Sequence, residues 1–130
     1  MNLDQENACK TLRGFSSAKA AEWLMENYSF ESGKAGEAYL IIPHRSWLKA
    51  DQLKLADYYL GNLPHRSDRG YKAFLKFMAL PHFLEVMTRH LPDDPGQRAL
   101  IAYHLKPVLD SHPDRIKSQS LVSDFLNARN

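Results

Sequence analysis

Apolar residues at helical spacing, interrupted by capping residues and by glycine or proline, run through most of this sequence. Ser16 or Ser17 is placed to cap a helix that continues to about Tyr28, and Asp94 is placed to cap another. Pro81 predicts either a kink or the first turn of a new helix. A chain divided in this way forms short helices joined by short turns, which indicates a mainly α fold.

The middle of the chain contains both a clear helix signal and the one segment that is typical of a strand. Ser46 predicts the N-cap of a helix over 47–60, and Gly61 stands where a left-handed cap residue is expected. Residues 37–42 include one aromatic and two β-branched residues and end at a proline, but no partner strand is evident. We therefore predict a single helical domain over residues 1–130, an irregular bundle of five or six helices, with a short strand near 37–42 as the only β element allowed.

The cysteine content and the hydropathy pattern indicate the cellular location of the protein. Cys9 is the only cysteine, so the chain can form no internal disulfide and no thiolate metal cluster. Apolar runs such as residues 39–42 are far shorter than a membrane span, and residues 1–6 lack a signal-peptide pattern. We therefore expect a soluble protein of the cytoplasm that does not use a membrane.

Positive charge is concentrated in the middle of the chain. The formal net charge is +2, but residues 34–80 carry eight Lys or Arg against four Asp or Glu. Such an excess favours an acidic partner. It is weaker than the basic stripe of a dedicated nucleic-acid-binding domain.

One short motif occurs twice. Pro-His-Arg-Ser occupies 43–46 and recurs at 64–67, each time just before a predicted helix. The paired histidines and arginines could converge on a phosphate or act as acid and base, and they are His44, Arg45, His65 and Arg66. We favour the simpler interpretation, in which Ser46 and Ser67 cap helices, because one mechanism then explains the prolines, the serines and their position.

No pattern for metal, nucleotide or covalent chemistry is found in the sequence. The six histidines lack ligand spacing, and the glycines form neither a dinucleotide-binding nor a Walker-type loop. Cys9 has no evident base beside it. We therefore predict no catalytic residue, no metal site and no cofactor, and we favour a non-enzymatic protein over an enzyme without deciding between them.

Aromatic and basic residues are interleaved over 45–77, with more apolar residues than one helix face can bury. Tryptophan, tyrosine and arginine are the common anchors of protein interfaces. The leading hypothesis is thus a protein-interaction module of adaptor, antitoxin or immunity type, with a protein partner that carries an acidic surface, or with a second copy of the chain. The predicted partner-binding residues are Arg45, Trp47, Tyr58, Arg66, Arg69, Lys72 and Phe77.

Two other functions are consistent with the same segment. The alternative is a nucleic-acid-binding domain, in which aromatic rings stack on bases and lysines contact phosphates. Asp51, Asp57 and Asp68 interrupt the basic stretch and count against it. The third is a small enzyme that uses His44 and His65.

Overall fold

A computed structural model of the chain describes residues 1–61 and 68–127. These residues form eight α-helices and a short 3-10 helix, with no strand in the parts described. The mainly α prediction is confirmed, and the predicted count of five or six helices is too low. In chain order the elements are α1 (Leu3–Arg13), α2 (Ser17–Asn27), α3 (Ala35–Ile41), the 3-10 helix (Ile42–His44), α4 (Lys49–Leu60), α5 (Arg69–Leu75), α6 (Leu80–Arg89), α7 (Pro95–Asp110) and α8 (Gln119–Asn127).

Side-chain caps at three helix starts account for much of this division. At α1 a reciprocal capping box joins Asn2 and Gln5, each side chain accepting from the other's backbone N–H. The Ser16 hydroxyl accepts from the third residue of α2, and Asp94 accepts from the Gln97 N–H at the start of α7. Pro81 lies in the first turn of α6. The sequence-based predictions at Ser16, Asp94 and Pro81 are therefore confirmed.

Residues 37–42 are helical, so the predicted strand is wrong. They belong to α3 and to the first residue of the 3-10 helix. Ala35, Ala38, Ile41 and Ile42 are all buried, and their spacing brings them to one side of a helix. Without a neighbouring strand an extended segment leaves its backbone groups unpaired, whereas a helix pairs them locally.

The helix after Ser46 begins later than predicted. Residue 45 is extended (φ −148°, ψ 162°), and α4 starts at Lys49 with no side-chain cap at its first turn. Ser46 is therefore not a cap. Gly61 also differs from the prediction, because its φ is −70°. A Cβ at Gly61 would lie 2.3 Å from the Asp57 carbonyl oxygen and 3.2 Å from the His90 ring, so close packing explains the glycine.

The sequence predicts Ser67 or Asp68 as the start of the next helix, and α5 does begin directly after Asp68. Asp68 makes no side-chain cap, however, and its carboxylate pairs with Lys72. Ser67 lies outside the described residues. The last helix begins at Gln119, after a series of turns that follows Pro113. Along the described ranges, no helix has the length and apolar character needed to cross a membrane.

The buried apolar side chains form one cluster that runs through the described elements. Tyr59 of α4 is fully buried in it, and the rings of Tyr39, Tyr58 and Phe74 lie within 6.4 Å of the Tyr59 ring. The cluster joins α3, α4 and α5 through edge-on and tilted ring contacts. It fixes the position of α5 relative to the turn at residues 42–48.

Gly70 allows α5 to approach α3 closely, and this can be tested. A Cβ at Gly70 would lie 3.1–3.4 Å from the Tyr39 ring, whereas a Cβ at Gly36 of α3 meets nothing within 4 Å. We expect Gly70→Ala to lower the free energy of unfolding by about 1–2 kcal/mol through overpacking. Gly36→Ala should raise it by up to about 1 kcal/mol, because alanine favours the helix. Urea unfolding followed by circular dichroism measures both, and equal effects would contradict the proposed contact.

Candidate functional site

A pocket of about 650 Å³ brings together residues that are distant in the sequence. The turn after α3, the extended residues 45–47 and the first turn of α4 form one side, and the residues after α5 form the other. Three of the predicted partner-binding residues line it together. The lining residues are Pro43, His44, Arg45, Ser46, Trp47, Gln52 and Phe77.

Arg45 is fixed in the wall of this pocket by contacts with the end of α1. Its Nη1 donates to the carbonyl oxygens of Leu12 (2.5 Å) and Phe15 (3.1 Å), and its Nε donates to the Ser46 carbonyl oxygen (2.9 Å). The guanidinium also lies over the Trp47 ring, 4.9 Å from its centroid. A cation at the last carbonyls of a helix interacts favourably with the helix dipole. Arg45 thus has a structural role and remains half-buried.

Trp47 forms part of the pocket wall and does not project into solvent. Only 6% of the residue is exposed, and the indole N–H donates to the Ile42 carbonyl oxygen (2.9 Å). The Gln52 side-chain amide donates to the Trp47 carbonyl oxygen (3.0 Å) and so closes the turn that precedes α4. These bonds hold residues 42–52 in one shape without help from a ligand.

Exposed positive charge lies on the outer side of α5 and on Lys76, the residue between α5 and the pocket residue Phe77. Arg69, Lys72 and Lys76 are exposed and follow one another at intervals of three and four residues, which places them along one side of a helix. Lys72 forms an ion pair with Asp68 (3.0 Å). Phe77 follows Lys76, is half-buried and packs against Phe74 with ring centroids 5.4 Å apart. We call the pocket and this row of cations together the basic face.

The other predicted partner-binding residues do not line the pocket. Tyr58 packs between Phe30 and Tyr59, and its hydroxyl accepts from the Phe30 N–H (3.1 Å). Arg66 and His65 lie outside the described residues, so the convergence of the two Pro-His-Arg-Ser motifs stays a prediction.

Sequence reasoning missed Lys76 and Gln52 as members of the face. Lys76 could have been found, because it lies seven residues after Arg69, two turns along a predicted helix. Gln52 gave no such signal, because its position depends on the turn that precedes α4.

Acid–base or nucleophilic chemistry finds little support in this geometry. His44 and Ser46 are both exposed and line the pocket, but they form no hydrogen bond with each other, as a paired base and nucleophile would. Cys9 is buried in α1, and burial raises the pKa of its thiol, which disfavours the reactive thiolate. Within residues 1–61 and 68–127, no group of three or more His, Cys, Asp or Glu residues could hold a metal ion.

The last helix borders a second, apolar pocket of about 600 Å³ between α7 and α8. Tyr103 is 75% exposed beside it, and Ala102, Pro107 and Leu126 line it. Among the described lining residues the charged one is Lys106, which is paired with Asp110 (2.8 Å). The described lining is mostly apolar and includes none of the predicted partner-binding residues.

Comparisons with protein-family models, with curated proteins and with solved structures find no match for this chain.

Proposed function

We propose that the protein is a non-enzymatic protein-interaction module, of adaptor, antitoxin or immunity type, that binds an acidic protein partner through the basic face. One observation carries the proposal. Arg45, Trp47 and Phe77, which come from separate segments, line a single pocket in which none of the described lining residues is acidic.

Charge and shape on the basic face both support a protein partner. Lys76 directly precedes the pocket residue Phe77, and Arg69 and Lys72 lie exposed on α5, with Asp68 as the acidic neighbour that pairs with Lys72. Complementary charge accelerates association and orients the partner. The half-buried Phe77 beside Arg45 supplies an apolar and cationic pair of the kind found at interface hot spots.

Nucleic-acid binding has less support from the same surface. Base stacking needs an accessible ring face. Trp47 is 6% exposed, with one side covered by Arg45, and Phe77 is half-buried.

We further propose a cytoplasmic location, since the sole cysteine is buried as a free thiol and no disulfide contributes to the fold.

The test compares partner capture by charge-reversed variants. Proteins retained by the immobilised chain are identified, purified and titrated against the wild type, the double variant Lys72→Glu/Lys76→Glu, and the single variants Phe77→Ala and Lys117→Glu. Lys117 is exposed in the turns before α8 and does not border the basic face. We expect the double variant and Phe77→Ala each to weaken binding at least about tenfold, because hot-spot truncations cost about 2 kcal/mol or more and about 1.4 kcal/mol is tenfold.

Two results would contradict the proposal. One is an affinity for the partner that stays unchanged in the double variant, in Phe77→Ala and in Lys117→Glu alike. The other is tight, salt-sensitive binding to single- or double-stranded nucleic acid by the purified chain, which would favour the alternative.

A further inference from the structure

We infer that Arg45 is the specificity-determining residue of the basic face and that its Nη2 group receives a carboxylate from an Asp or Glu side chain of the partner. This inference rests on the proposed function and names the chemistry that the pocket recognises.

The guanidinium of Arg45 is held on two of its three nitrogens. Nε and Nη1 donate to the carbonyl oxygens of Ser46, Leu12 and Phe15. Trp47 covers one face of the same group. Within the described residues, Nη2 makes no hydrogen bond, so its two N–H groups remain available as donors on a residue that lines the pocket.

A guanidinium fixed in this way is a preorganised binding site for an oxyanion. Its side chain has already lost its conformational freedom during folding, so ligand binding carries a smaller entropic cost. Charge-assisted hydrogen bonds to carboxylate are stronger than neutral ones. The Ser46 hydroxyl and the His44 ring line the same pocket and can donate to the second carboxylate oxygen.

No acidic side chain of the described pocket wall competes for this site. Asp51 is the acidic residue nearest to Arg45 along the chain, but it is buried in the first turn of α4 and does not line the pocket. A volume of about 650 Å³ exceeds what one carboxylate needs. The remaining space allows the peptide backbone around the acidic residue to enter, which favours a peptide segment as the ligand.

The positions of α5 and the pocket suggest how such a segment runs. Lys76 directly follows α5 and directly precedes Phe77, which lines the same pocket as Arg45. An acidic segment that places one carboxylate at Arg45 can therefore place another near Lys76, and this weaker charge contact reinforces the specific one.

The experiment uses a short polyglutamate peptide, acetylated and amidated, as its probe. The chain labelled with ¹⁵N is titrated by NMR, with the Arg45 Nε–H and Trp47 indole N–H signals as reporters. We expect saturable shifts of both signals, none with polyglutamine of equal length, and weaker binding of inorganic phosphate. Arg45→Lys should weaken the peptide about tenfold, while Arg13→Lys, an exposed matched change at the end of α1, should leave the affinity unchanged.

Three results overturn the inference. Shifts confined to α5 with none at Arg45 or Trp47 would do so, as would phosphate binding more tightly than the peptide, or a folded Arg45→Lys variant with unchanged affinity. If Arg45→Lys does not fold, the wild-type titration alone decides. The proposed function fails separately, on either of the two results given for it above, and neither of those is a result of the peptide titration.

Discussion

Replacing Trp47 with alanine is expected to lower the free energy of unfolding by about 3–5 kcal/mol, as is usual for a buried tryptophan. The residue is 6% exposed, donates its indole N–H to the Ile42 carbonyl oxygen and packs under Arg45. Its removal opens a cavity, leaves that carbonyl without its partner and frees the Arg45 side chain. Urea unfolding monitored by far-UV circular dichroism measures the change.

Two tryptophan variants serve as controls for this prediction. Trp47→Phe keeps a ring in the wall but loses the indole donor, and we expect a smaller loss of about 1–2 kcal/mol. Trp23→Ala removes a half-buried tryptophan in α2 and should also cost less than Trp47→Ala. A loss for Trp47→Ala no larger than that for Trp23→Ala would show that residue 47 does not support the fold.

This result bears directly on how the proposed function is tested. A Trp47→Ala variant that fails to bind a partner would report an altered fold as readily as a lost contact. Phe77 and the α5 lysines are better positions, because they are half-buried or exposed and no described helix start depends on their side chains. Separating the two roles requires that binding and unfolding be measured on the same variants.

Local helix signals were predictable from the sequence wherever one side chain decides the outcome. Ser16 and Asp94 cap helices because a short polar side chain reaches an unpaired N–H in its own turn. The same logic failed at Ser46. There Arg45 and Trp47 hold the chain extended through contacts with residues up to 33 positions away, and no local pattern reveals such contacts.

The candidate site was predictable in composition but not in shape. Its basic and aromatic character follows from the residues over 45–77. The sequence does not reveal which of these residues pack into the fold and which stay exposed. Trp47 and Tyr58 pack into the fold, and Arg45 binds the end of α1, whereas the α5 cations stay outside. A tertiary contact decides each of these outcomes, and burial depends on every neighbouring element at once.

Replacing Tyr59 is the second change for which we expect a large effect. Its side chain is fully buried, and its hydroxyl donates toward the carbonyl oxygens of Tyr28 (3.0 Å) and Leu24 (3.3 Å) at the end of α2. We expect Tyr59→Ala to cost about 3–5 kcal/mol of unfolding free energy, like other large core truncations. Tyr59→Phe should cost about 1–2 kcal/mol, because the two carbonyls lose a donor. Tyr103→Ala, at a residue that is 75% exposed, should stay within about 0.5 kcal/mol of the wild type.

The same hydroxyl gives the fold an alkaline limit. Burial raises the pKa of Tyr59, with nearby Tyr58, Tyr39 and Tyr28 adding to the effect, and burial raises the pKa of Tyr39 to about 12. Both groups ionise more readily in the unfolded chain, where tyrosine has a pKa of about 10. Their contribution to stability is therefore complete below that pH and is lost as the pH rises above it. Unfolding of the wild type and of Tyr59→Phe, measured from neutral pH to pH values above the ordinary tyrosine pKa, should show a smaller alkaline loss for the variant. Equal losses would mean that Tyr59 ionises as freely in the folded chain as in the unfolded one.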